Sequence, residues 1–128
     1  MAVNLFKLSR LMENPEWEEI ALEMLTRIEE AALHNAGAFS RWNTLYLFQV
    51  YPFYETSILG PDLLHFKEKM EQEYRPNMLI SGSSIASTVP ILIDRFIKDK
   101  TVVYVCKDKV CGQPTENIEL ALKTLKEG

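Results

Sequence analysis

The chain changes its hydrophobic rhythm at about Tyr51. Before that point apolar residues recur at helical spacing; after it they fall into short runs broken by glycine and proline. Val3, Phe6 and Arg10 would share one face of a first helix, and Leu5, Leu8, Leu11 and Met12 another, so its apolar stripe is broad. Met12-Glu13-Asn14-Pro15-Glu16 reads as a stop followed by a start. Asn14 is suited to the N-cap and Pro15 to the first helical position, while Glu16, Glu18 and Glu19 lie where the helix dipole favours acids. The helix that follows carries Trp17, Ile20, Ala21, Met24, Leu25, Ile28, Ala31 and Ala32 inward and Glu19, Glu23, Arg27 and Glu30 outward. His34-Asn35-Ala36-Gly37 ends it, with Asn35 or Gly37 able to take a left-handed conformation. A third helix is expected from Ala38 to Val50, stopped by Pro52.

The second half predicts a strand at Tyr54–Leu59 (YETSIL), a turn at Gly60-Pro61-Asp62 with Asp62 as cap, and a helix from Asp62 to Tyr74. Leu63, Leu64, Phe66, Lys67 and Met70 define the expected buried side of that helix. Met78-Leu79-Ile80 is a second strand, and strand–helix–strand at this spacing is a βαβ unit with parallel strands. Ser81-Gly82-Ser83-Ser84 reads as a loop and Ile91–Ile97 as a helical turn. Thr101–Cys106 (TVVYVC) is a third strand, with Lys109–Gly112 returning beside it around Asp108, and Thr115 caps a last helix over Glu116–Lys126. The fold class is therefore mixed α/β (α+β). Residues 1–51 form a three-helix segment, and residues 52–128 a small βαβ-type sheet unit with a β-hairpin and a C-terminal helix.

Composition narrows the class of function. The length of 128 residues suits one compact domain, and a net charge of −4 gives no electrostatic case for nucleic acid or an anionic membrane. There is no apolar run long enough to span a bilayer and no basic start leading into one, so a cytoplasmic protein is expected.

Both cysteines lie in Tyr104–Pro114 (YVCKDKVCGQP). Residues five apart around a hairpin loop can lie opposite each other, close enough for a disulfide. The spacing C-x4-C on strands lacks the helix N-terminus that acidifies a C-x-x-C thiol, and a zinc site needs further ligands. Only His34 and His65 could add imidazoles, each on its own helix. The expected state is two reduced structural thiols. A reversible redox pair at Cys106 and Cys111 and a metal half-site are the alternatives, and no cofactor or metal is expected.

Other candidates read as ordinary structure. Leu59-Gly60-Pro61-Asp62 opens a helix, as anion sites do, but lacks the glycine-rich run and carries an acid. Ser81–Ser84 could cradle an anion, yet serine and glycine are common loop residues. Glu18/Glu19, Glu29/Glu30 and Glu68/Glu71 fall on polar helix faces, so no catalytic acid–base pair is assigned. The aromatic set Trp42, Tyr46, Phe48, Tyr51, Phe53 and Tyr54 suits core or a subunit contact better than sugar stacking.

Phe53–Gly60 (FYETSILG), Tyr74-Arg75-Pro76-Asn77-Met78, and Tyr104-Val105-Cys106 with Cys111, Gln113, Pro114 and Thr115 resemble the C-terminal end of a known family. It is that of the thioredoxin-domain-containing proteins related to spermatogenesis-associated protein 20. Ala2-Val3-Asn4-Leu5 and Leu8-Ser9-Arg10-Leu11 are similar to a late barrel helix of the same family, so the resemblance spans nearly the whole chain. It implies a parent with a thioredoxin-like domain and an (α/α)6 toroid similar to N-acylglucosamine 2-epimerases and six-hairpin glycosidases. This chain would supply the last barrel helices and a small α/β cap. No catalytic or cofactor-binding residue carries over; the cysteine pair is a family-like feature without an assigned role. The implied function is a non-catalytic capping segment of a protein of carbohydrate metabolism. A thiol redox or metal-binding protein, and a protein-interaction module, are the alternatives.

Helices that normally close a toroid leave apolar faces bare. Burying one large side chain is worth about 1.5–3 kcal/mol, so the remainder of a toroid or a second copy is the expected partner. The dimer contact is placed at Trp42, Tyr46 and Phe6.

Overall fold

A computed structural model describes residues 1–127, with side chains to Lys126. The chain divides into two compact units, Met1–Tyr51 and Pro52–Gly128. Its class is mixed α/β, with five α-helices and a four-stranded sheet.

The first unit holds α1 (Ala2–Leu11), α2 (Pro15–His34) and α3 (Ser40–Val50), each packed on the other two. The break between α1 and α2 is built as its sequence predicts. Glu13 takes a left-handed φ of 49°, and Asn14 Oδ1 then accepts from the N–H groups of Glu16 and Trp17 at 3.1 and 3.4 Å. The next break differs from expectation, since neither Asn35 nor Gly37 has positive φ. Side chains hold it instead: Asn35 Oδ1 accepts from the Ala38 N–H, and Asn43 Nδ2 donates to the Ala36 carbonyl. Phe6, Ala21, Leu25, Ala32, Leu45 and Phe48 are buried, with the Phe6 and Phe48 rings 5.8 Å apart. Ile20 and Ala31 face outward, so the inner stripe of α2 is narrower than its sequence suggests. Arg10, also buried, pairs with Glu18 at 2.8 Å and lies over the Phe6 ring, which answers the cost of taking its charge from water.

The second unit is a sheet of order β2-β1-β3-β4 with α4 (Leu63–Glu71) and α5 (Ile118–Glu127). Strand β1 (Tyr54–Leu59) is central, parallel to β2 (Met78–Ser83) and antiparallel to β3 (Val102–Lys107); β4 is the pair Val110–Cys111. Tyr54, Ile58, Val103 and Val105 point to one face, where Met70 of α4 and Ala121 and Leu125 of α5 complete the core. Asn77 fixes the start of the sheet: its Nδ2 donates to the Pro52 carbonyl at 2.7 Å and its carbonyl accepts from Tyr54 N–H.

Several boundaries depart from the sequence reading. Strand β2 runs through Ser83, so Ser81–Ser83 are strand and not loop; Ser81 is the register partner of Ser57, to whose hydroxyl it bonds at 3.1 Å. Helix α4 ends at Glu71, and Leu64 and Lys67 face outward, leaving Leu63, Phe66 and Met70 as its inner side. Asp62 makes no side-chain cap; its N–H donates to Thr101 Oγ1. The helical turn expected over 91–97 is a single 3-10 turn at Pro90–Leu92. Helix α5 begins two residues late because Asn117, not Thr115, caps it, with Oδ1 accepting from the N–H groups of Glu119 and Leu120. The Thr115 backbone exchanges two hydrogen bonds with Val103, while its Oγ1 accepts from the Asn117 N–H ahead of the helix.

Candidate functional site

Strands β3 and β4 meet through a tighter turn than a C-x4-C spacing requires. Lys107 pairs with Val110, leaving Asp108 and Lys109 as a two-residue loop with φ of 48° and 71°. Positive φ at both positions is the type I′ signature, whose twist matches that of the flanking strands. Cys106 and Cys111 then fall opposite each other, and Gly112 N–H donates to the Val105 carbonyl just beyond them. This is a non-hydrogen-bonded position, where side chains of an antiparallel pair come closest. The two cysteines are joined in a disulfide. The expectation of reduced thiols is corrected: the tight turn removes the slack that would have kept the sulfurs apart.

The turn is anchored to the start of β1 from both sides. Asp108 N–H donates to the Phe53 carbonyl, Phe53 N–H donates to Asp108 Oδ1, and Lys109 N–H donates to Glu55 Oε2. Glu55, 3 % exposed, is the register neighbour of Cys106 on β1. The sheet face opposite the core thus carries Glu55, Ser57 and Ser81, with Tyr104 and Cys106 beside them.

Arg95 reaches this face from the segment after the 3-10 turn. Its Nη1 lies 3.9 Å from Cys106 Sγ and its Nη2 3.6 Å from Cys111 Sγ. The guanidinium stands over the Tyr104 ring, 5.2 Å from its centroid, and the Tyr104 hydroxyl donates to the Arg95 carbonyl. A cation is thereby held against both sulfurs. Neither Arg95 nor Glu55 was among the candidate residues of the sequence. Arg95 sits in an irregular stretch with no periodicity, whereas a carboxylate inside YETSIL was a readable signal that the strand has a polar face.

The remaining candidates do not assemble. His34 and His65 belong to different units, both exposed, and His34 Nδ1 is 2.8 Å from the Glu30 carbonyl. Among the described residues no group of three or more His, Cys, Asp or Glu side chains could hold a metal ion. The Gly60 turn has its Asp62 N–H bonded to Thr101, and the serines of 81–83 are spent on the strand. Of the carboxylate pairs, Glu18 does not lie on a polar face but is held by Arg10, and Glu71 pairs with Lys67. Of the proposed contact residues, Tyr46 is exposed and Trp42 half-buried, but Phe6 is fully buried against Phe48 and offers no surface. Phe53 and Tyr54 are buried in the sheet unit, so the aromatic residues form no single surface. A shallow groove between α2 and α3, lined by Leu25, Ala32, Leu33 and Tyr46 among others, encloses about 10 Å³, room for one water. No described helix is long and apolar enough to cross a membrane. No protein-family model matches the chain, and neither a curated protein nor a solved structure gives a significant match.

Proposed function

We propose that this chain is a non-catalytic structural segment, acting in the cytoplasm as the end cap of a larger helical assembly of the thioredoxin-domain, epimerase-like kind it resembles. One observation carries the reading. The helical unit leaves Leu33, Leu47, Val50 and Tyr51 between 50 % and 63 % exposed. Leu47 and Val50 lie at i and i+3 on α3 and form an apolar ridge, with Tyr51 following at its extended C-cap. Such a ridge on a helical pair calls for a further helix packed against it, as successive hairpins of a toroid supply. In a carbohydrate-active parent, this unit closes the ring and the sheet unit caps its end.

In isolation a second copy is the nearest available cover, through the α3 ridge and Tyr46. Light scattering after gel filtration tests this with the whole chain. The expected result is a dimer that dissociates on dilution and is lost in Leu47→Glu/Val50→Glu with helicity unchanged. A monodisperse monomer at high micromolar concentration overturns the reading.

A further inference from the structure

We propose that the Cys106–Cys111 disulfide is a thiol–disulfide exchange site, entered through Cys111 and assisted by Arg95, with small thiols of the glutathione class as its redox partner. The proposal stands on the sheet unit alone and is independent of the capping role.

Three observations converge on it. The first is the asymmetry of the two sulfurs: Cys106 is 2 % exposed, whereas Cys111 is exposed on the short edge strand β4. An incoming thiolate has access to Cys111 Sγ and not to Cys106 Sγ, and access decides which sulfur is attacked.

The second is the placement of Arg95. A neutral disulfide has no use for a cation, but the thiolates formed when it opens do. Among the described residues Arg95 makes no ion pair with a carboxylate, so its charge is not already neutralised by a partner. Tyr104 holds it from both ends, through the ring face and through the hydroxyl on its carbonyl.

The third is that bonds other than the S–S bond also hold the hairpin. The Asp108–Phe53 pair, Lys109 N–H on Glu55, and the paired bonds of Thr115 with Val103 fix both strands and the turn. These bonds favour reduced cysteines that lie opposite each other and can close again.

The exchange balances as follows. A small-thiol thiolate attacks Cys111 Sγ; the Cys106–Cys111 bond breaks, and its electron pair leaves on Cys106 Sγ beside Arg95 Nη1. Cys106 Sγ then takes a proton from water, whose hydroxide passes to the solvent. A second small-thiol thiolate attacks the small-molecule sulfur of the mixed disulfide and displaces Cys111 Sγ as a thiolate beside Nη2. Two small thiols end as one small disulfide, and the protein pair has gained two electrons. Run backwards, the same steps reoxidise the pair at the expense of a small disulfide. The other ionisable groups around the pair are Glu55 on β1, Tyr104 on β3, and Lys107, Asp108 and Lys109 at the turn.

The test uses the whole oxidised chain with reduced glutathione under native conditions, followed by acid quench and peptide mass spectrometry. The mixed disulfide is expected on Cys111. A cation within about 4–6 Å makes an anion roughly 10- to 1000-fold easier to form, and about half of that effect on a logarithmic scale reaches the exchange rate. Arg95→Gln should therefore slow adduct formation about tenfold, with Arg95→Lys restoring most of it. Equal rates in the parent and Arg95→Gln, or a disulfide that glutathione opens only in urea, overturn the proposal. A second measurement needs no variant: the alkylation rate of Cys111 in the reduced chain against pH. Its midpoint should fall below the value of about 8.5 usual for a free cysteine; a midpoint at or above that value overturns the proposal as well.

Discussion

Asp108 and Phe53 exchange two hydrogen bonds although 55 positions separate them, one from each backbone N–H, at 2.9 and 3.0 Å. This exchange ties the hairpin turn to the first residue before the central strand, and it sets where the cysteines fall. Asp108→Ala removes the acceptor for Phe53 N–H and places alanine at a φ of 48°. A lost hydrogen bond to a charged acceptor and a left-handed non-glycine residue together cost about 2–3 kcal/mol. Asp108→Asn keeps an acceptor and tolerates the conformation, so its cost should stay below about 1 kcal/mol. Urea unfolding midpoints at constant slope check both.

The core face of β1 carries two hydroxyls that the fold does not use. Thr56 Oγ1 and Tyr54 Oη are buried without a hydrogen-bond partner. Both residues point toward the cluster of Val103, Val105, Met70 and Leu125, where a hydroxyl has lost its water and gained nothing. Thr56→Val keeps the shape and discards the orphaned group. It should stabilise the chain by about 1 kcal/mol, with Tyr54→Phe acting in the same direction. Thermal melts decide; a lower melting temperature for Thr56→Val would show that the hydroxyl has a partner in solution.

These same residues mark how far the sequence could be read. The elements with strong local signals are where their sequences put them: the Asn14-Pro15 start of α2, the YETSIL strand, and the parallel pairing of β1 with β2. Each follows from capping chemistry or from period, which are local. Ser81–Ser83 were misread because a polar triplet looks like a loop, whereas its hydrogen bonds are satisfied by a strand distant in sequence. Thr115 Oγ1 does accept from the Asn117 N–H, but the Thr115 backbone is claimed by Val103, a tertiary demand invisible locally, and the helix starts later. The candidate site was half legible. The proximity of the cysteines followed from hairpin geometry, but Arg95 reaches them from a segment whose path depends on the packing of Ile91 and Leu92.

Three glycines should respond to alanine in three different ways. Gly60 has a φ of +134°, and a Cβ there would overlap the Lys100 carbonyl oxygen and the Thr101 backbone. Backbone atoms cannot retreat as side chains do, so Gly60→Ala should cost on the order of 3 kcal/mol or more. At Gly82 the added carbon would meet Leu63 Cδ1 and the Ile58 carbonyl oxygen. Leu63 can rotate away but the Ile58 carbonyl is backbone and cannot, so Gly82→Ala should cost about 3 kcal/mol, short of Gly60 only because the φ of Gly82 is ordinary. Gly37 meets nothing within 4 Å and has no positive φ, so Gly37→Ala should stabilise by about 0.4–1 kcal/mol through the unfolded chain. Equilibrium unfolding of the three variants tests the order, and a neutral Gly60→Ala would contradict the close approach of the 60 and 100 segments.

The C-terminal helix is fastened to the sheet unit by a small charge cluster with a defined pH response. Lys126 Nζ lies 2.7 Å from Glu73, Arg75 also pairs with Glu73, and Arg75 Nη1 donates to the Leu125 carbonyl at 3.0 Å. The hydrogen bond from Lys126, aided by the charges of Lys126 and Arg75, holds the Glu73 carboxyl below its usual range against a smaller opposing effect of desolvation. A carboxylate held low in the folded state binds its proton more readily when unfolded. Its stabilising contribution is therefore whole above the ordinary carboxylate range and is lost as pH falls through the lowered folded value. The cluster is exposed and screened, so the effect is small and should shrink further in salt. Lys126→Met removes the leading cause, and the Glu73 side-chain carboxyl resonance should then titrate at higher pH, nearer the usual range. The fraying of the last turn of α5, read from amide exchange at Leu125, should increase in the variant at neutral pH but match the parent once Glu73 is protonated in both. An unmoved Glu73 titration would mean that Arg75 alone holds the carboxylate and that Lys126 is free in solution.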